Sequence, residues 1–336
     1  MARPLRIQYP GAFYHVMNRG NSRQNIFLAD EDRYTFLEGL TDSCEIYGVR
    51  LICYVLMANH FHLIVQTEQA NLSEFIHHFL MTYSVRYNRQ RQRVGHLFQG
   101  RYKSLLIDAE AYLLSLSRYI HLNPIQTKRF QGSDFKTKVS YIKDNRWSSL
   151  SGYCSVRKRI EGVDYAWLLK VYFSGDNVKG RGEYWNYVCQ GLKGEIENPF
   201  DHVVYQTILG TKGFVERVKN KVSWKKEREV PALRRLRRSF SVEKIMEVIG
   251  SSCGVEPIKI LNRKTGAKLV RQMAMELCYR YSPLNQREIG EMFSVDYSTV
   301  SRNRGDIKKK LQKDTQLKKK FDEIEQRIFN LSKRKT

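Results

Sequence analysis

Asn59-His60-Phe61-His62-Leu63-Ile64-Val65 decides how the first third of this chain is read. Apolar residues run on behind a His-x-His pair, so the stretch predicts a β-strand over 60–66. Side chains alternate across a strand, which puts His60 and His62 on one face and Phe61, Leu63 and Val65 on the other. Two neighbouring imidazoles make half of a divalent-metal site, although alone such a pair is more often two structural histidines. Upstream, the apolar run 49–57 predicts a second strand, and the turn at Ala58-Asn59 joins the two as a hairpin. Residues 12–17 predict a first strand, closed by the turn chemistry of Asn18-Arg19-Gly20-Asn21. Between them lies a helix with Asp30, Glu31 and Asp32 in its first turn, a stripe of Tyr34, Leu37, Leu40, Cys44 and Tyr47, and a stop at Gly48. Downstream, Asn71-Leu72-Ser73-Glu74 opens a second helix, 103–107 predicts a fourth strand, and a third helix runs from Asp108 to Pro124. The order strand, helix, strand, strand, helix, strand, helix is that of a ferredoxin-like arrangement. The expected fold class is α+β, an antiparallel sheet with helices on one face, followed by a mostly helical C-terminal region.

The chain has 336 residues and a net charge of +24 spread along most of its length. Distributed positive charge of that size points to a polyanionic partner, nucleic acid first. The six cysteines are scattered with no C-x-x-C pair. Neither a zinc ribbon nor a disulfide framework is expected, and a reduced, cytoplasmic setting is. No apolar run approaches the roughly 20 residues of a membrane-spanning helix, and no signal peptide is read at the start. Composition and pattern divide the chain into 1–130, a connecting region 131–238 and a helical part 239–336.

Three further stretches carry basic or polar side chains suited to DNA. Gly95-His96-Leu97-Phe98-Gln99-Gly100-Arg101-Tyr102-Lys103 alternates basic and aromatic residues. That suits a backbone groove with stacked bases, with Arg101 and Lys103 as phosphate contacts, or an ordinary basic loop. Arg234, Arg235, Arg237 and Arg238 form a basic linker that either touches phosphates or is simply solvated. The run 285–293, a turn at Ser294-Val295-Asp296 and a helix from Tyr297 predict a helix-turn-helix. Its second helix would present Ser298, Thr299, Ser301, Arg302 and Arg304 to the major groove of a duplex. The tail repeats apolar residues from Ile307 to Leu331 at helical steps, to pack on its own domain or on a second subunit. Residues 131–230 show short elements and no chemistry, with Trp147, Trp167, Trp185 and Trp224 read as core or interface.

Arg118-Tyr119-Ile120-His121-Leu122-Asn123-Pro124 closes the third helix. Tyr119 and Asn123 are four apart and share a face. If that face looks at the histidine pair, the Asn123 oxygen can complete a site for Mg²⁺ or Mn²⁺ while the Tyr119 hydroxyl serves as a covalent nucleophile toward phosphorus. On composition alone, Tyr119 also reads as a core tyrosine and Asn123 as a helix stop.

The His-hydrophobic-His pair resembles the motif of the HUH endonucleases. Together with Tyr14-His15-Val16-Met17-Asn18-Arg19-Gly20, Gly95 to Lys103 and Tyr119 to Pro124, it resembles the REP-associated tyrosine transposases, relatives of single-tyrosine insertion-sequence transposases. The resemblance covers about residues 3–125. It implies an HUH nuclease fold, metal ligands His60, His62 and Asn123, the nucleophile Tyr119, and single-stranded DNA beside hairpins as substrate. A 5′-phosphotyrosine intermediate and a bacterial, nucleoid-associated setting come with it. Residues 241–310 resemble the DNA-binding domain of the replication initiator DnaA, through Gln272-Met273-Ala274-Met275 and Asp296-Tyr297-Ser298-Thr299-Val300. The initiator has Asp-His before Thr-Thr-Val where this chain has Asp296-Tyr297, and no Walker-type loop is present. The expected activity is metal-dependent nicking and joining of single-stranded DNA. The rivals are a DNA-binding regulator on an inactive nuclease fold, a water-using nuclease and an RNA-binding protein. Monomer versus homodimer stays open.

Overall fold

The computed structural model describes residues 6–193, 198–221, 240–262 and 267–330. It divides into two compact units, one of Gln8–Pro199 and one that includes Phe200–Thr336.

The first unit opens with β1 (Ala12–Arg19), α1 (Asp30–Tyr47), β2 (Val49–Met57), β3 (His60–Thr67), α2 (Leu72–Gln90), β4 (Lys103–Ile107) and α3 (Ala109–Leu122). The strands lie in the order β2-β3-β1-β4, each pair antiparallel. β1 and β2 enclose β3, as a split βαβ crossover requires. Asp32 fixes the start of α1. Its buried carboxylate accepts from the backbone N–H groups of Leu28 (2.7 Å) and Ala29 (2.9 Å) and from Arg91 Nη2 (2.9 Å), which ties the end of α2 to the same point. Gly48 ends α1 at φ 59°, a left-handed conformation that a Cβ disfavours.

Phe61 faces α1 and α2, with ring centroids 5.0 Å from Phe36 and 6.2 Å from Phe79. The helices do not all lie on that face, as the sequence had suggested. α3 covers the opposite one, where Cys53 Sγ on β2 is 3.2 Å from His121 Nε2. The reason is local. Leu51 to Leu56 are all buried, so β2 is apolar on both sides and both need cover.

Residues 135–190 supply part of that cover as α4 (Phe135–Asp144), α5 (Leu150–Cys154), α6 (Tyr165–Tyr172) and α7 (Val178–Gln190). They also close the edge of β2. Leu56 N–H donates to Trp147 O (2.8 Å), Ser149 N–H to Tyr54 O (3.0 Å) and Asp164 N–H to Leu51 O (2.8 Å). The segment that showed no chemistry in the sequence is thus built into the sheet.

The second unit holds a two-residue hairpin, β5 (Val203–Val204) and β6 (Ile208–Leu209), then α8 (Lys212–Lys221). After it come α9 (Val242–Cys253), α10 (Pro257–Leu261), α11 (Lys268–Tyr281), α12 (Gln286–Met292), α13 (Tyr297–Lys313) and α14 (Thr315–Asn330). Ile245, Ile249, Leu277, Ile289, Phe293, Val300 and Ile307 share one core. The tail stripe Phe321, Ile324 and Ile328 enters that same core, so it packs on its own domain. Asn285 and Glu288 cap α12 reciprocally, and Asp296 caps α13 through Thr299 N–H (2.9 Å). Gly290 lets the turn close, because a Cβ there would meet Val295 O at 2.6 Å.

Candidate active site

The histidine pair stands on the face of β3 turned toward α3. Strand register pairs His60 with Arg19 of β1 and Met57 of β2, and His62 with Met17 and Val55. The His60 and His62 rings are 5.2 Å apart by centroid and edge-on. Each has a hydrogen-bonding neighbour. His60 Nδ1 lies 2.7 Å from Asn59 Oδ1, an acceptor, so the proton sits on Nδ1 and Nε2 keeps its lone pair. His62 Nδ1 lies 2.9 Å from Nε2 of His15, a fully buried neighbour stacked on it at 5.1 Å. For His62 to offer Nε2 to an ion, its Nδ1–H must donate to His15. Partners of this kind orient ligating imidazoles in metal sites generally.

Burial keeps these rings neutral. It pushes His60 down to about 4, with the positive charge of Arg19 adding to the depression and a hydrogen bond to Asn123 opposing it. Burial, with the neighbouring His15, His60 and Arg19, holds His62 well below its ordinary value. Burial alone takes His15 to about 3. Neutral imidazole is the form that binds a metal.

The His60–Asn123 contact brings the end of α3 to the histidine pair. Asn123 keeps helical angles (φ −53°, ψ −40°) as the residue closing α3, so the helix face of Tyr119 is continuous with it. Tyr119 sits one turn earlier, about 6 Å along the axis, half-exposed. Among the described residues no group of three His, Cys, Asp or Glu side chains could hold a metal. Two imidazoles and one carboxamide oxygen remain, a set that suits an oxygen-preferring divalent ion with open positions.

His121 locks that last turn in place. Its Nδ1 is 2.7 Å from the Tyr184 hydroxyl of α7, and its Nε2 is 2.8 Å from Ser149 Oγ. Ser149 Oγ in turn receives Tyr54 N–H (2.9 Å). Burial pushes His121 down to about 3, so one ring N–H and one lone pair serve these contacts. His15 and His121 reach partners that lie 47 and 63 residues away in sequence.

The stretch from Gly95 to Lys103 runs beside β1, with Gln99 N–H on Arg19 O and Asn21 N–H on Leu97 O, both 2.8 Å. Its aromatic residues are not a stacking platform. Phe98 and Tyr102 are buried, and Phe98 packs near Phe61 and Tyr83. Arg101 and Lys103 are exposed.

In the second unit Ser298, Ser301 and Arg302 are exposed on α13, and Thr299 is half-exposed. Arg304 is a correction. Its side chain turns inward to Glu276 Oε2 (2.9 Å) and lies over the Tyr279 ring, because the helical period places 304 on the same face as Val300 and Ile307. Arg234, Arg235, Arg237 and Arg238 lie outside the described residues.

Comparison with known proteins adds three findings. Residues 9–123 match the family model of IS200-like transposases. A solved structure of a REP-associated tyrosine transposase bound to a REP hairpin is similar at 16% identity, covering 44% of this chain and 81% of that one, with a TM-score of 0.34. No curated protein matches. The matched stretch runs through β1 to Asn123 and includes the histidine pair and the helix of Tyr119.

Proposed function

We propose that this protein nicks and rejoins single-stranded DNA beside hairpins through a covalent tyrosine intermediate. The Tyr119 oxygen attacks phosphorus and forms a P–O bond; the P–O3′ bond breaks. The phenolic proton is lost and a proton is gained by the departing 3′ oxygen. The 5′ side is then a phosphotyrosine and the 3′ side a free hydroxyl, which makes the step reversible. His60, His62 and Asn123 are the residues to hold a Mg²⁺ or Mn²⁺ ion, which when bound supplies Lewis-acid polarisation of a phosphate oxygen. The chain's own contribution is orientation. The buried His15 and His121 networks fix the two halves of the site before substrate arrives.

The observation that carries this reading is the contact between Asn123 and His60; Tyr119, four residues before Asn123, shares its helix face. The exposed Ser298, Ser301 and Arg302 of α13 support a second role for the helical unit. It would hold a neighbouring duplex as a helix-turn-helix of the type in DnaA. Tethering raises the effective concentration of the first unit at its substrate.

The test is a denaturing protein gel of hairpin-bearing single-stranded DNA from around the gene, with Mg²⁺ or Mn²⁺. A metal-dependent shifted band is expected for the parent and absent for Tyr119→Phe and for the His60→Ala/His62→Ala pair. Cleavage without the band identifies a hydrolytic nuclease. Tight binding with neither identifies a regulator on an inactive fold.

A further inference from the structure

Arg19 is the last residue of β1 and the cross-strand neighbour of His60, on the sheet face that carries both imidazoles. Paired positions of this kind have Cβ atoms about 5 Å apart. The side chain is half-buried, and its Nε is buried without a hydrogen-bond partner. Among the described residues no carboxylate pairs with it, although Arg33, Arg50, Arg86, Arg91, Arg159 and Arg280 each have one. Its charge is felt by both histidines.

The backbone around it is fixed. Arg19 O accepts Gln99 N–H (2.8 Å), Arg19 N–H donates to Asn18 Oδ1 (2.9 Å), and the next residue, Gly20, donates to Asn59 O (2.9 Å). The guanidinium therefore hangs from a rigid point at the end of the sheet where the nucleophile's helix arrives. A partly desolvated cation beside a candidate site for a second cation is unfavourable on its own. Such an arrangement becomes favourable when an anion lies between them. A guanidinium has the planar fork that suits a phosphate oxygen pair.

We propose that Arg19 is a further catalytic residue, whose guanidinium donates to a non-bridging oxygen of the scissile phosphate. It holds the phosphodiester on the His60–His62 face and meets the extra negative charge that builds on those oxygens as the Tyr119 oxygen adds. This rests on the function proposed above and names a substrate contact that the histidine pair and tyrosine do not include.

The experiment starts from the cleavage position mapped by the tyrosine adduct of the parent protein. Two hairpin oligonucleotides are then made, identical except that one carries a neutral methylphosphonate at that position. Binding is measured in EDTA, so the readout does not depend on the metal-loaded enzyme. The parent is expected to prefer the phosphate by about tenfold, the scale of one charge-assisted hydrogen bond. Arg19→Gln is expected to bind both oligonucleotides alike, at the parent's methylphosphonate level. Arg19→Lys is expected to recover part of the preference, since the charge returns without the fork. Each preference is a ratio within one protein, so a general loss of folding or affinity does not imitate it. A full preference retained by Arg19→Gln, or none in the parent, overturns the proposal while leaving the tyrosine mechanism standing. No adduct from the parent on any hairpin DNA overturns the mechanism, and the role of Arg19 with it.

Discussion

The Tyr184 hydroxyl of α7 lies 2.7 Å from Nδ1 of His121, and this hydrogen bond fastens the end of α3, the helix of Tyr119. His121 stands between Tyr119 and Asn123 in sequence but points the other way, into a fully buried pocket with Ser149 and Cys53. Tyr184→Phe keeps the ring and removes the hydroxyl, leaving a buried imidazole nitrogen of His121 without that partner. The expected cost is about 1–3 kcal/mol, or a melting temperature lower by several degrees. Calorimetry checks it. The rate of adduct formation should fall as well, at temperatures where the variant is still folded. An unchanged melting temperature would mean that the bond does not hold α3.

His15 should act on metal binding without being a ligand. His15→Ala removes the hydrogen-bond partner of His62 Nδ1. Mn²⁺ affinity, measured by titration calorimetry, is expected to fall by about 10–100-fold, the range seen when such supporting partners are lost. Equal affinity in parent and variant would show that His62 is oriented by the strand alone.

Acid should unfold the first unit earlier than its carboxylates require. Burial lowers His15 to about 3, His60 to about 4 and His121 to about 3. An unfolded chain takes up these protons near pH 6.5, while the folded one resists until near pH 4. The unfolded state therefore binds more protons across that window, and stability falls as pH drops through it. Urea unfolding at pH 7 and at pH 4.5 measures the slope. His121→Gln is expected to flatten it, and a slope equal to that of the parent would refute the assignment.

Arg302 and Arg304 should separate cleanly. Arg304 and Arg280 both donate to Glu276, whose carboxylate is 1% exposed. Arg304→Gln is expected to cost the helical unit about 1–3 kcal/mol in thermal unfolding. Arg302 is exposed, so Arg302→Ala should change stability by no more than about 0.5 kcal/mol. It should instead weaken duplex binding and lower the salt slope by about 1. The reverse pattern would overturn the placement of α13.

The elements of the first unit were legible because each rests on local signals. The bounds of β2 and β4 follow from apolar runs between turn residues, and Gly48 marks the end of α1. The two faces of β3 could be read from its period of two, since Phe61 and His62 cannot share one. What escaped was non-local. Nothing near Ser149 or Tyr184 in sequence announces a partner on α3, and the aromatic rings of Phe98 and Tyr102 read as surface features until packing buried them. Arg304 escaped for a simpler reason. Its neighbours Arg302 and Ser301 do face outward, and only its spacing from Val300 and Ile307 turns it inward.

The closure of the β2 edge by residues 147–149 and 163–164 has a consequence for association between copies. An open edge strand is a template on which another chain can continue the ladder. Here that template is already occupied by the protein's own backbone at Leu51, Tyr54 and Leu56. A chain cut after residue 130 would lose the occupant and gain a sticky rim on an apolar strand. Such a fragment should aggregate or pair edge to edge, whereas the longer chain cannot merge its sheet with a second copy through β2.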